Sequence, residues 1–488
     1  MPFLATAIAL PLLLWGAISI ARGSLFILVA LFFIATCVFP AEFLALDMGG
    51  LTWTLDRLCL VGVAIQLVLQ WRRGELQMQR LESLDVALGL FLLWLVARTI
   101  TQPLGSVLPS QPATLMHLVN GYLIPIFLYA ALRTSKLQST KLKWPLALLV
   151  GLGVYLGVTA VLEMAKLWGL VFPRFIADPT LGIHFGRARG PMLQSVRLGV
   201  ALLACLVPLI VYTVWLQPLK RGSWILFLSL APVIGMGVLL TLTRSVWMGL
   251  GLIVVVLTWL CLHGVSRRAA IVGMLFASMA IVIVKGPDLI AFKREYSAAE
   301  TRESTYMRAA FAYISFEMFK DRPLVGFGFN QFQVYNRPYL ADRSTDIRVE
   351  SIRGYVHHNS FLSLLVDLGV VGFGLYAFVA LAGGVQCYVL WQAKQAPKWA
   401  RGLSLIAVCI AGVHAIQMTF HEVSFSTIEN SFLFAALGLV VAAKQQFCSS
   451  PAGSTISSPG GGTSLLLVSA TGRSLVLSRC TQLSGVSV

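Results

Sequence analysis

The chain has 488 residues, of which 57% are hydrophobic and only 12% are Asp, Glu, Lys or Arg, and its formal net charge is +17. Soluble domains have roughly 25% charged residues, so this chain has too few to coat a water-soluble protein of its length; its mean hydropathy is +0.81. These values exclude a soluble globular enzyme, a disordered chain and a secreted disulfide scaffold, and leave an all-α, polytopic membrane bundle.

Apolar runs that predict membrane spans fall near 3–20, 24–40, 58–71, 84–100, 114–132, 144–163, 192–216, 223–241, 246–263, 268–285, 359–390, 402–420 and 428–443. The run at 58–71 is short and Pro11 interrupts the first, so twelve or thirteen spans are expected. The N-terminal run has no basic region before it, which reads as a retained span rather than a cleaved signal peptide. Cysteines 37, 59, 205, 261, 387, 409, 448 and 480 lie mostly in apolar runs without a CxxC pair, as buried small hydrophobes would.

The basic residues orient the bundle. Alternate connections hold Arg22, Arg72, Arg73, Arg80, Arg133, Lys136, Lys141, Lys143, Lys220, Arg221, Arg267, Arg268, Lys394, Lys398 and Arg401. The four short connections between them (41–57, 101–113, 242–245 and 421–427) hold only Arg57 and Arg244. Short loops rich in Lys and Arg stay cytoplasmic. The chain then divides into N-terminal spans (1–285), a large periplasmic loop (286–357), C-terminal spans (358–444) and a Ser/Gly/Pro-rich cytoplasmic tail (445–488). The positive charge follows this topology, so it implies no nucleic-acid partner.

Two outside segments carry charges that the topology does not require. The loop 164–191 has Arg187 and Arg189, and 286–357 has ten Lys/Arg and nine Asp/Glu. Between the two, TLTRSVWMG puts Arg244 in a short outside turn, as an interfacial anchor or a two-pronged grip on a phosphate. In the large loop, STYMRAAFAYISFEMFKDRP predicts an amphipathic helix capped by Ser304 or Thr305 and stopped by Pro323. Tyr306, Ala310, Tyr313, Ile314 and Met318 share helical spacing and would lie on the membrane surface or over the bundle. Arg308 falls in the first turn of that helix. A cation is unfavourable there alone, so it calls for an anionic partner, either Glu303 or a bound phosphate.

PLVGFGFNQF follows, and its glycines lack the strand and helix of a nucleotide fold, so a tight turn back to the membrane is expected. VHHNSFLSLLVDLG then opens a span, with His357 and His358 at its entry and Asn359, Ser360 and Asp367 inside or beside it. Ionisable groups entering a span are costly and tend to be functional, and an imidazole near its ordinary pKa can take a proton from a sugar hydroxyl. Arg187, Arg189 and Arg197, together with Arg244 and Arg308, predict an outward-facing anion site. No DxD pair or other carboxylate cage is present in the sequence, so no metal and no other cofactor is expected.

Three segments together resemble the O-antigen ligase and polymerase superfamily: TLTRSVW, then R-x14-PLVGFGxxxF from Arg308, then HNSFLx4DLGxxG from His358. The resemblance covers roughly 190–440. It implies about twelve spans in a C-type glycosyltransferase fold. The implied reaction moves a glycan, with inversion and without metal, from undecaprenyl diphosphate to an acceptor hydroxyl, on lipid A core or on a growing glycan. Membrane lipids would surround the enzyme, which would sit in the bacterial inner membrane with its active site facing the periplasm. On matching positions, Arg244 and Arg308 would hold the diphosphate, and His358 would activate or orient the acceptor. Arg187, Arg189, Asn359 and His357 are the further substrate-binding candidates. Where the family often has an aromatic residue four after the helix arginine, this chain has Ala312, with Phe311 beside it.

Ligase and polymerase share these motifs and differ in acceptor; one large late loop favours the ligase. A transporter of lipid-linked sugars is the alternative from another class. It would require charges deep within spans and repeated halves, and the candidate deep cations, Arg98 and Arg197, lie near span ends.

Overall fold

The computed structural model describes residues 23–48, 51–76, 80–106, 112–218, 220–290, 298–355 and 357–448. The predicted span at 3–20, the tail beyond Cys448 and the side chains of Glu303, Ser304 and Thr305 lie outside the described residues.

Long apolar runs become helices because a bilayer offers no partner to an unpaired backbone group. Helix α1 is Leu25–Val38, and a small hairpin of β1 (Leu46–Met48) and β2 (Leu51–Trp53) joins it to α2, Leu55–Arg72. Next come α3 (Ser83–Ile100), α4 (Thr114–Arg133), α5 (Ser139–Met164), α6 (Ser195–Leu216), α7 (Arg221–Leu240), α8 (Arg244–Cys261) and α9 (Gly264–Ile290). The large loop holds α10 (Ala298–Asp321) and the single turn α11 (Phe332–Tyr335); α12 (Ser360–Gln392), α13 (Lys398–Phe420) and α14 (Thr427–Cys448) complete the bundle. Among the described residues, nine helices are long and apolar enough to cross a membrane. The protein is an all-α polytopic membrane protein, the hairpin being its one departure from the expected class among the described residues.

Helix α6 is the most buried of these nine, with α5, α7, α8, α13 and α14 around it. Helices α5 and α7 approach closely at Gly157 and Gly237, where a Cβ on Gly157 would meet the Val233 carbonyl oxygen at 2.6 Å. Small residues permit such contact where helices pack in lipid. At one end of the bundle, Asp85 accepts from Tyr129 Oη at 2.7 Å and pairs with Arg133 at 2.5 Å, and Lys444 pairs with Glu82 at 2.6 Å. These groups clamp α3, α4 and α14 together. The large loop lies at the opposite end, called here the loop side.

The most consequential irregularity is in α12. Gly369 adopts φ 68°, and the helix is broken there. A broken helix leaves donors and acceptors that lipid cannot satisfy, and the PLVGFG segment satisfies them. Phe327 N–H donates to the Val366 carbonyl (2.9 Å) and Gly328 N–H to the Asp367 carbonyl (2.8 Å). In return, Val370 and Val371 N–H donate to the carbonyls of Pro323 (2.8 Å) and Leu324 (3.3 Å). Trp94 Nε1 donates to the Leu368 carbonyl at 3.1 Å, and Arg98 Nη2 to the Gly326 carbonyl at 3.0 Å. Instead of forming a simple return turn, the segment is built into the gap in a span.

Candidate functional site

Helix α10 starts at Ala298, so Ser304 and Thr305 lie within it and do not cap it. Arg308 is therefore in the third turn, and the expected conflict with the helix dipole does not arise there. Ala310, Phe311, Ile314 and Met318 are buried, and with Phe327, Phe332, Leu340, Val349 and Ile352 they form a loop core seated on Val366 of α12. Tyr306 is exposed, and Tyr313 Oη donates to Asp342 at 2.7 Å. The apolar face thus packs inside the loop and over the bundle.

Arg308 and Phe311 are three residues apart and share a helix face. The Phe311 ring lies edge-on to His358 at 5.1 Å. Desolvation first, and the charge of Arg308 second, hold the His358 imidazole below its ordinary range. The aromatic residue at 311 thus meets the histidine, and His358 is exposed on the loop side. Asn359 caps α12, with its side-chain oxygen accepting Leu362 N–H at 3.0 Å, and its amide donates to the Thr419 carbonyl at 3.0 Å.

Arg244 reaches the same place by another route. It is the first residue of α8, exposed, after a tight turn in which Leu242 takes φ 50°. The next residue, Ser245, lies with its Oγ 2.9 Å from His421 Nε2. His421 follows α13, and its carbonyl lies 3.0 Å from Ser360 Oγ, which also accepts Val423 N–H at 2.8 Å. The starts of α8 and α12 and the end of α13 are therefore joined, which brings Arg244, Arg308 and His358 to one end of the bundle.

Two residues at this junction were missed by the sequence reading. His421 links the Arg244 turn to Ser360, and Glu422 lies 3.1 Å from Ser360 Oγ while accepting Ser424 N–H at 2.9 Å. The second carboxylate oxygen of Glu422 is buried without a hydrogen bond, and burial pushes its pKa up. The available signal was an ionisable His–Glu pair at a span exit, the same cue that singled out His357 and His358.

The expectation for two candidates is revised. Arg189 is fully buried, and its guanidinium donates to the carbonyls of Ile176 (3.0 Å), Asp178 (2.5 Å) and Leu181. The backbone N–H groups of Arg189 and Gly190 donate to Glu163 at 2.9 and 3.0 Å. Arg189 therefore organises its loop from within and presents no surface to a substrate. His357 is also buried, its ring packed at a tilt of 41° against Phe332 with centroids 3.7 Å apart, and burial drives its pKa down to about 3. It belongs to the loop core, and His358 is the exposed member of the pair. Arg187 is half-buried beside the Arg189 loop. Asp367 accepts Asn330 N–H at 2.9 Å and so holds the PLVGFGFN segment in the α12 break.

Among the described residues, no group of three or more His, Cys, Asp or Glu side chains is arranged to hold a metal ion. The fold and this site define a multi-pass helical membrane protein with an arginine- and histidine-bearing site under a folded loop. Residues 232–377 match the family model described as O-antigen ligase, the family that the motifs in this stretch resemble. The matched stretch contains Arg244, Arg308, the α12 break and His358. No curated protein matches the chain.

Proposed function

We propose that this protein transfers a glycan from undecaprenyl diphosphate to an acceptor sugar hydroxyl at the periplasmic face of the bacterial inner membrane, as an O-antigen ligase. The observation that carries this reading is the convergence of Arg244, Arg308 and His358 at one end of the bundle, inside the stretch matched as O-antigen ligase.

The acceptor oxygen attacks the anomeric carbon from the face opposite the diphosphate, which inverts that centre. The C1–O bond to phosphate breaks and its electron pair leaves with the diphosphate. His358 takes the acceptor proton, for which its lowered pKa keeps a neutral nitrogen available. Arg244 and Arg308 provide fixed positive charge where negative charge accumulates, in the place a magnesium ion takes in other diphosphate transfers. The reaction is accordingly expected to persist in EDTA. Asn359 and Arg187 are assigned here as further substrate contacts.

The test is complementation of a ligase-deficient Gram-negative host, read on a lipopolysaccharide gel at matched expression. The wild type is expected to restore a ladder on core lipid, and His358→Ala to restore none. Longer lipid-linked chains without attachment to core would instead mark a polymerase with the same chemistry. Equal ladders from both proteins would remove His358 from the mechanism.

A further inference from the structure

The loop between α5 and α6 is built with more care than a connection needs. Glu163 and Arg189 form a buried ion pair, and Arg189 gathers three loop carbonyls around itself. Lys166 (φ 58°) and His184 (φ 65°) occupy a left-handed region that side chains rarely adopt. Strain and buried charge of this kind persist only where the surroundings enforce one shape.

That shape displays an aromatic stack. The Arg189 guanidinium lies 4.7 Å over the Phe185 ring, and Phe185 stacks on Trp168 with centroids 5.9 Å apart and planes at 16°. Arg174 Nη1 donates to the Trp168 carbonyl at 2.9 Å and ties down the start of the loop. The loop is also fastened to the α7 end, where Ala188 N–H donates to the Leu240 carbonyl at 3.1 Å, four residues before Arg244. Phe185 is 44% exposed and Trp168 is half-buried, and Lys166 and Arg187 each stand two residues from one of these rings in the chain.

We infer that Trp168 and Phe185, backed by Arg189, form a subsite that stacks a pyranose ring of the acceptor glycan beside the Arg244 turn. This rests on the transferase reading and names the acceptor's place within it. A sugar ring presents an apolar C–H face that fits a flat aromatic surface, and nearby cations suit the phosphate or carboxylate substituents of an acidic glycan. An aromatic anchor in the bilayer interface needs amphipathic rings at the right depth but no fixed stack and no strained loop.

The experiment uses the full chain in lipid nanodiscs with 5-fluorotryptophan, the Trp168 resonance being assigned by its loss in Trp168→Phe. Delipidated lipopolysaccharide core oligosaccharide is titrated in, and doxyl-labelled lipid is added separately. A saturable shift of the Trp168 resonance with oligosaccharide, and little broadening by doxyl lipid, is the expected result. Strong lipid broadening with no oligosaccharide shift would make the stack an interfacial anchor and overturn the inference. In transfer assays, Trp168→Ala is expected to raise the acceptor KM about tenfold, the size of one lost ring contact, while the donor KM changes less than twofold. Equal changes in both would also overturn it. A saturable shift in a protein that transfers no glycan would leave the subsite standing and remove the ligase reading instead.

Discussion

Ser245 Oγ and His421 Nε2 lie 2.9 Å apart, and this contact fastens the first turn of the helix that begins with Arg244 to the end of α13. His421 in turn meets Ser360 through its carbonyl, so the arginine and the histidine ends of the site share one support. An arginine at the mouth of a bundle has many rotamers, and a supported backbone limits where its guanidinium can go.

The first prediction follows from that support. Ser245→Ala removes one partner of His421 without touching Arg244, and is expected to lower glycan transfer roughly 5- to 30-fold. Steady-state assays with donor and acceptor varied separately should show the loss mainly in donor KM. An unchanged rate would mean that the contact does not position Arg244.

The pH dependence of transfer provides the second. His358 is held below its ordinary range by desolvation and by Arg308, so the acid limb of the rate profile should lie below the ordinary imidazole value of about 6.5. Arg308→Gln removes a positive charge that disfavours the imidazolium. The residual activity should therefore show its acid limb shifted to higher pH. A shift to lower pH, or none, would separate the two residues.

His357 makes a contrasting prediction about stability. Its folded pKa is lowered to about 3 by burial, then by the neighbouring His358. Above pH of about 6.5 the unfolded imidazole is neutral too, and no penalty arises. As pH falls from there toward 3, the unfolded chain binds a proton that the folded protein refuses, and stability declines by an amount on the order of a few kcal/mol. His357→Phe, placed against Phe332 and Phe311, should flatten the fall in Tm between pH 7.5 and pH 5. An identical fall in both proteins would contradict this assignment.

The α12 break allows a steric test. A Cβ at Gly326 would lie 2.5 Å from the Asp367 carbonyl group, and one at Gly369 would meet the backbone of Leu324 and lie 2.6 Å from Val325 N, with both glycines at φ 68°. Gly326→Ala and Gly369→Ala should each cost more than about 3 kcal/mol and reduce the yield of folded protein in detergent. Gly374→Ala, where no atom lies within 4 Å of the added Cβ, is the control and should behave as wild type.

The buried pair in the α5–α6 loop is expected to fail asymmetrically. Glu163→Ala leaves Arg189 charged and uncompensated and should cost about 3–5 kcal/mol. Arg189→Lys should not rescue the loop, because one ammonium cannot reach the carbonyls of Ile176, Asp178 and Leu181 from the guanidinium's positions. Thermal melts monitored by aggregation onset would show both, and a wild-type melt for either variant would contradict the burial argument.

The helical course of this chain was legible in its residues, because a bilayer requires runs of roughly 20 apolar residues and leaves few other ways to satisfy a backbone. Arg244, Arg308 and His358 stood out as candidates for a related reason: charged and titratable groups are conspicuous in and beside apolar spans. Their chemical roles were read as types of residue, and their common location was an expectation. The start of α10 was misplaced, since Ser304 and Thr305 are good caps locally and nothing nearby forbids the helix from beginning at Ala298. Arg189 and His357 looked like surface ligands because charge alone does not reveal burial. Their surroundings come from Glu163, 26 residues away, and from Phe332, 25 residues away. The insertion of PLVGFG into α12, and the joining of Ser245 to His421 across 176 residues, were decided only by the tertiary structure, because hydrogen bonds between distant segments leave no local periodicity in either partner.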